Sequence, residues 1–228
     1  MDTIRAMLEE HKLIVICRGV YGDTLLKTME ALYKGGIRLA EVTFDQKSRD
    51  YKETLDAITM LEEHFRGRMA IGAGTVVSPA QVELAYQAKA AYIISPNVNE
   101  AVIRKTKELG MLSIPGALSP SEVLDAHEYG ADYVKLFPAA RMTASYIKDL
   151  MGPISHVKFI ATAGITEENI AEFAAVGCTG YGISGRLMDK RVIQEGRFEE
   201  LQHRAEAFID SLQKEEEELY EKYCICTR

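Results

Sequence analysis

Short apolar, β-rich runs recur along the chain at Leu13–Cys17, Ile37–Thr43, Met69–Ala73, Ala91–Ser95, Met111–Ile114, Asp132–Phe137, Val157–Ala161 and Gly180–Ser184. Between them the apolar positions shift to a helical period. Thr24–Tyr33, Tyr51–Phe65, Pro79–Lys89, Glu100–Leu109, Pro120–Tyr129, Ala144–Met151 and Glu167–Val176 read as helices, with spacings such as Val82, Ala85 and Tyr86. Gly35-Gly36, Gly110, Gly130 and Gly177 follow four of these stretches, where a glycine closes a helix. Ser78-Pro79, Ser119-Pro120 and Thr166-Glu167-Glu168 read as capped helix starts. The strands return about every 20 to 30 residues, the size of one βα unit. Unbroken alternation predicts an α/β fold with one parallel sheet. Eight such units close most simply into a (β/α)8 TIM barrel, and a doubly wound open sheet satisfies the same spacing.

Two segments lie outside the repeat. Residues 2–11 predict a short N-terminal helix that covers the bottom of the barrel, and residues 198–223 a long C-terminal helix. The run Glu215–Glu218 marks residues 213–228 as an acidic tail, helical or disordered, behind a barrel domain of residues 1–212. The length of 228 residues suits one such barrel, and 47% hydrophobic residues allow a large core and exclude global disorder. A net charge of −7 argues against nucleic acid or an anionic membrane as partner, but leaves room for a small anionic substrate in a locally positive pocket. No apolar run approaches the roughly 20 residues that span a bilayer. The charged N-terminus lacks a signal-peptide core, so a soluble, cytoplasmic protein is the expectation. Four cysteines make no disulfide framework; Cys17 and Cys178 lie in apolar runs as buried thiols, and Cys224 and Cys226 form a lone Cys-x-Cys.

In such a barrel chemistry gathers at the C-terminal ends of the strands. Lys135 stands out there, flanked by Tyr133, Val134, Leu136 and Phe137. Helices cover the outer face of a barrel, so a mid-strand lysine faces the mouth, beside Tyr133 and Phe137. Burial disfavours its charged form, and a neutral amine can attack a ketone to form a Schiff base. Glu41 sits in another strand-like run, two residues from Thr43 and hence on the same face. A carboxylate near a lysine is suited to move protons. The plain alternative for both residues is a structural ion pair. Gly164 and Ser184-Gly185 follow the last two strands, where barrels commonly bind phosphate through backbone N–H groups. The histidines, 11, 64, 127, 156 and 203, form no close ligand pair, and no metal or cofactor motif is present.

Six motifs stand in order at barrel spacing: Gly-Gly-Ile-Arg-Leu-Ala-Glu-Val-Thr (35–43), Ile-Gly-Ala-Gly-Thr-Val (71–76), Ile-Ser-Pro-Asn (94–97), Ile-Pro-Gly (114–116), Val-Lys-Leu-Phe-Pro-Ala (134–139) and Ala-Thr-Ala-Gly-Ile (161–165). In them the chain resembles the class I 2-keto-3-deoxy-6-phosphogluconate (KDPG) aldolases, a family that includes 4-hydroxy-2-oxoglutarate (KHG) and 2-keto-3-deoxy-6-phosphogalactonate aldolases. The match spans roughly residues 4–210. The resemblance implies a (β/α)8 homotrimer that cleaves a 2-keto-3-deoxy sugar acid reversibly to pyruvate and an aldehyde, without cofactor or metal. It implies Lys135 as the Schiff-base lysine and Glu41 as the proton shuttle. Arg18 and Thr75 would hold the carboxylate or the hydroxyl-bearing chain, with Thr43 alongside on the Glu41 face. Pro96 and Phe137 would wall the pyruvyl methyl, and Thr162, Ala163, Gly164, Ser184 and Gly185 would line a distal phosphate pocket.

The chain departs from the family at the distal end. Ala163-Gly164 stands where Gly-Gly is frequent, and Ser184-Gly185 where Gly-Ser is frequent. Asp45 occupies a position where some members carry arginine, a charge that Lys47, Arg49 or Arg18 would have to replace. Substrate identity rests on these positions. Two other classes fit the fold: a barrel isomerase or phosphate-binding synthase using carboxylate pairs, and a non-catalytic assembly or binding protein that uses its acidic tail.

Overall fold

The computed structural model describes residues 1–224. Among the described residues nine strands pair in parallel, in the order β5-β4-β3-β2-β1-β9-β8-β7-β6, and helices separate all of them but β5 and β6. They are β1 (Leu13–Cys17), β2 (Leu39–Thr43), β3 (Ala70–Gly74), β4 (Tyr92–Ile94), β5 (Leu112–Ile114), β6 (Gly116–Ala117), β7 (Val134–Leu136), β8 (Phe159–Thr162) and β9 (Gly180–Ile183). The two ends of this order, β5 and β6, are consecutive in the chain and separated by Pro115 alone. One stave therefore counts twice, and the sheet is the expected eight-stave barrel rather than an open sheet. The division has a simple cause: proline offers no N–H to a ladder. The carbonyls still close the ring, because Asp132 N–H donates to Ser113 O at 2.9 Å and Lys135 N–H to Pro115 O at 2.9 Å.

Among the described residues ten helices pack around or beneath it. Helix α1 (Asp2–His11) underlies the barrel, and α2 (Gly22–Lys34), α3 (Lys52–Phe65), α4 (Pro79–Gln87), α5 (Glu100–Glu108) and α6 (Pro120–Glu128) follow the first strands. Two of the three predicted capped starts form: Ser78 Oγ accepts from Gln81 N–H, and Ser119 and Glu122 make a reciprocal capping box, whereas the start at Thr166 does not. Each such cap contributes about 1 kcal/mol. Three later helices differ from expectation. Helix α7 (Ala139–Met151) starts a turn early but breaks at Thr143, whose φ is 63° and whose hydroxyl caps Tyr146 N–H, so the helix predicted from Ala144 is its second half. Helix α8 (Ile170–Ala175) starts three residues late, because Asn169 caps Thr166 N–H and holds 167–169 as a turn. Helix α9 (Lys190–Gln194), a single turn too short to show a period, is new.

Helix α10 (Phe198–Cys224) runs through residues 212–213 without a break and packs Leu201, Ala205, Phe208 and Leu212 into the core. Cys226 of the Cys-x-Cys pair lies outside the described residues. No helix among the described residues is long and apolar enough to cross a membrane.

Strand period 2 sorts the side chains into an outer shell against the helices and an inner barrel core. Ile14, Leu39, Ala70, Tyr92, Leu112, Tyr133 and Ile160 fill the inner core, closed below by Leu8 of α1. Glu41, Lys135 and Thr162 each lie two residues beyond an inner-core residue, so they share its face one layer higher. Tyr133 turns away from the mouth expected for it: its hydroxyl donates to Glu9 of α1 at 2.9 Å. Glycines of β3 make room for large neighbours. A Cβ at Gly72 would lie 2.1 Å from the Tyr92 ring, and one at Gly74 would lie 2.7 Å from the Glu41 carboxyl carbon. Gly72→Ala is therefore expected to cost roughly 1–3 kcal/mol through overpacking, with the melting temperature falling by several degrees. An unchanged melt would mean that the Tyr92 ring yields without strain.

Candidate active site

A cavity of about 380 Å³ opens at the C-terminal end of the barrel, lined by Arg18, Glu41, Lys135, Phe137, Thr162, Ala163, Gly164, Ser184 and Gly185 among the expected residues. Lys135 and Glu41 come from staves on different sides of the ring, and only closure of the barrel brings them into one cavity. Lys135 is 9% exposed and Glu41 1%. Burial pushes the Lys135 amine below the ordinary lysine value; the charge of Glu41 opposes that shift and Arg18 adds to it. Burial likewise raises the Glu41 carboxyl, against the pull of Lys135 and Arg18. No ion pair within 4.0 Å joins the two. The structural ion pair, the plain alternative, is not formed. Instead Glu41 Oε2 is buried without a hydrogen-bond partner. Lys135 Nζ sits 5.1 Å from the centroid of the Phe137 ring, which walls the amine toward solvent.

Three expected residues stand off the cavity lining. Thr43 Oγ1 donates to Cys17 O at 3.3 Å, inside the wall. Pro96 is exposed, and its carbonyl packs where a Cβ on Gly116 would stand, 2.6 Å away. Thr75 acts at one remove. Arg18 Nη2 donates to Thr75 Oγ1 at 3.2 Å, and Thr75 holds a left-handed φ of 58°, unusual for a β-branched residue. Gln46 Nε2 donates to Thr75 O at 2.7 Å, and buried Gln81 donates to Gln46 Oε1 at 3.0 Å. The Asp45 loop, which carries no cation at that position, thus supplies an amide that clamps Thr75.

The distal end is built from backbone. Ala163 and Gly164 take φ values of 76° and 77°, and a Cβ at Gly164 would lie 2.4 Å from the Ala140 side chain. Among the described residues, the N–H groups of Gly164, Ile165 and Gly185 have no acceptor in the protein. Successive free N–H groups around left-handed residues make an anion-binding concavity. The Ser184 hydroxyl is turned elsewhere, donating to Ile16 O at 3.4 Å. A Cβ on Gly182 would lie 2.6 Å from Thr162 Oγ1, so that glycine lets Thr162 reach the wall.

Sequence reasoning did not single out Ile16, Ile165, Thr166, Gly182 and Arg186, which also line the cavity. Arg186 had a signal, since it directly follows Ser184-Gly185 at a strand end. His127 and His156 lie edge to face with ring centroids 4.8 Å apart, brought together by packing across a sequence gap that spacing does not reveal. No group of three or more metal-binding side chains occurs among the described residues.

A sequence model of the family described as KDPG and KHG aldolase matches residues 4–203. The 2-dehydro-3-deoxy-6-phosphogalactonate aldolase of Escherichia coli (strain K12) is 32% identical over 176 residues, covering 77% of this chain and 83% of that protein. The 2-dehydro-3-deoxy-phosphogluconate aldolase of Haemophilus influenzae is 30% identical over 208 residues, covering 89% and 93%. Among solved structures, a native KDPGal structure superposes with a TM-score of 0.80 at 28% identity, over 90% of this chain and 96% of that one. The KDPG aldolase of Legionella pneumophila, with pyruvate captured as a covalent carbinolamine, gives 0.79 at 26% identity, over 89% and 96%.

Proposed function

The chain belongs to the KDPG and KHG aldolase family and is a carbon–carbon lyase; from that premise we propose that it is a class I aldolase cleaving 2-keto-3-deoxy-6-phosphogluconate to pyruvate and glyceraldehyde 3-phosphate through a Schiff base on Lys135. The observation that carries the proposal is a desolvated amine sharing a cavity with a buried carboxyl that makes no hydrogen bond among the described residues. Lys135 Nζ, unprotonated, attacks the C2 ketone, and Glu41 gives the departing hydroxyl its proton. The resulting iminium is an electron sink. Glu41 then takes the C4 hydroxyl proton, the C3–C4 bond breaks, and its electrons form the enamine. The aldehyde leaves, C3 is protonated, and water releases pyruvate and the free amine. Arg18, braced by Thr75, holds the substrate carboxylate. The free N–H groups of Gly164, Ile165 and Gly185 receive the distal phosphate.

A second reading takes the galactonate-derived C4 epimer as substrate, since the Escherichia coli enzyme named for it is 32% identical, while relatives named for the gluconate-derived acid are 30% and 32% identical. The test is pyruvate release from KDPG, its C4 epimer and 4-hydroxy-2-oxoglutarate. KDPG is expected to give the highest kcat/KM. A faster epimer would reassign the substrate, and release from none would overturn the activity. The same proposal carries a homotrimer, which light scattering checks.

The electrostatics give a signed prediction. The positive charge of Arg18 disfavours a second positive charge on Lys135. Arg18→Met removes that repulsion, so the Lys135 amine takes up a proton at higher pH. The acid limb of borohydride trapping, read at saturating pyruvate, should move to higher pH than in the unsubstituted protein. A limb that stays in place, or moves down, contradicts the coupling.

A further inference from the structure

Three cationic side chains line the cavity: Arg18, Lys135 and Arg186. Lys135 is committed to C2 and Arg18 to the carboxylate. A distal phosphate brings close to two negative charges, and the free N–H groups around Gly164 supply only partial ones. The position on the β2 loop that could hold a cation carries Asp45, and the hydroxyl of Ser184 is turned to Ile16 O. Arg186 is the cation left over.

Its setting suits the task. The Nε and Nη2 edge of its guanidinium is held by both carboxylate oxygens of Glu167, and Glu168 Oε1 lies 3.9 Å from Nη2. Nη1 makes no hydrogen bond among the described residues. The backbone is pinned from below, because Arg204 Nη1 donates to Arg186 O at 2.9 Å. Arg204 is itself held by Glu200 at 2.6 Å and Asp189 at 3.2 Å. The fork is thus fixed on one edge and open on the other. An exposed ion pair of this kind adds little stability, so fold stability does not account for the arrangement. A planar guanidinium with a free edge is the donor that matches a phosphate oxygen pair.

We propose that Arg186 is the specificity-determining residue for the phosphorylated end of the substrate, donating through its free edge to the phosphate that the Gly164, Ile165 and Gly185 N–H groups cradle. This rests on the aldolase reading above and extends it, since it places the discrimination between phosphorylated and unphosphorylated acids on one side chain.

The experiment compares KDPG with its unphosphorylated counterpart in the intact protein, Arg186→Ala and Arg186→Lys. In Arg186→Ala the ratio of kcat/KM for the two substrates should fall about 10- to 100-fold toward the unphosphorylated acid, the worth of hydrogen bonds to a charged group. The loss should lie in KM. Inhibition by inorganic phosphate should weaken in parallel. Arg186→Lys, which keeps the charge but not the fork, should give an intermediate ratio. Borohydride trapping with pyruvate reports whether each variant retains a folded site. A ratio that does not move in a trapping-competent Arg186→Ala, or equal loss on both substrates, overturns the role of Arg186. Absence of a pyruvate adduct in the unsubstituted protein would instead overturn the aldolase reading on which it stands.

Discussion

Alanine at position 135 is expected to lower pyruvate release by at least about 10⁴-fold, the scale of losing a covalent nucleophile. It should also erase the pyruvyl adduct that borohydride fixes on the intact protein. The expectation follows from burial. Lys135 shares the inner face with Tyr133, inside a wall that the helices seal from outside, and its amine is pushed below the ordinary lysine value by that burial. Among the described residues no other lysine lines the cavity. No second amine is therefore placed to attack C2. The loss should not come from unfolding, because truncation here removes an ionisable group from a dry site and leaves the inner core below intact. Peptide mapping after reduction with pyruvate locates the adduct. An adduct on another residue, or an alanine variant that still releases pyruvate, would end the Schiff-base assignment.

Glu41→Gln should slow turnover by roughly 10²–10⁴, the usual contribution of a positioned acid or base. Glutamine keeps the shape that Gly74 accommodates, so packing changes little. It cannot pass a proton between the carbinolamine hydroxyl and the C4 hydroxyl. Its second effect has a definite sign. The Glu41 charge raises the Lys135 value, so removing that charge lets the amine lose its proton at still lower pH. The acid limb of adduct formation should move down, the reverse of Arg18→Met, while cleavage falls. The two readouts then separate: borohydride still captures pyruvate, more slowly, and aldol cleavage is nearly lost. An unchanged cleavage rate would remove Glu41 from the proton path.

Much of this architecture is written locally. Alternating strand and helix periods with glycine and Ser-Pro punctuation specify βα units, because backbone preference and capping depend on near neighbours. That is why β1 and the cores of α2 through α6 lie where the pattern puts them. A lysine and a glutamate inside apolar strand runs are also legible, since burial of an ionisable group contradicts its surroundings. Arrangement at the rim is not local. Thr43 shares the face of Glu41, yet its hydroxyl bonds Cys17 O in the wall, while Arg186 reaches the cavity from a loop with no periodic signal.

The chain alone determined a run of βα units that close most simply into a barrel, and marked Lys135 and Glu41 as ionisable groups set in apolar strands. Folding in three dimensions decided that these two groups share a cavity without an ion pair, that one carboxyl oxygen is left unpartnered, and that Pro115 divides a stave. It also decided that Glu167 fixes Arg186 at the distal end. The physical reason is that barrel closure sets distances between residues far apart in sequence, through strand stagger and tilt, and no local pattern carries that information.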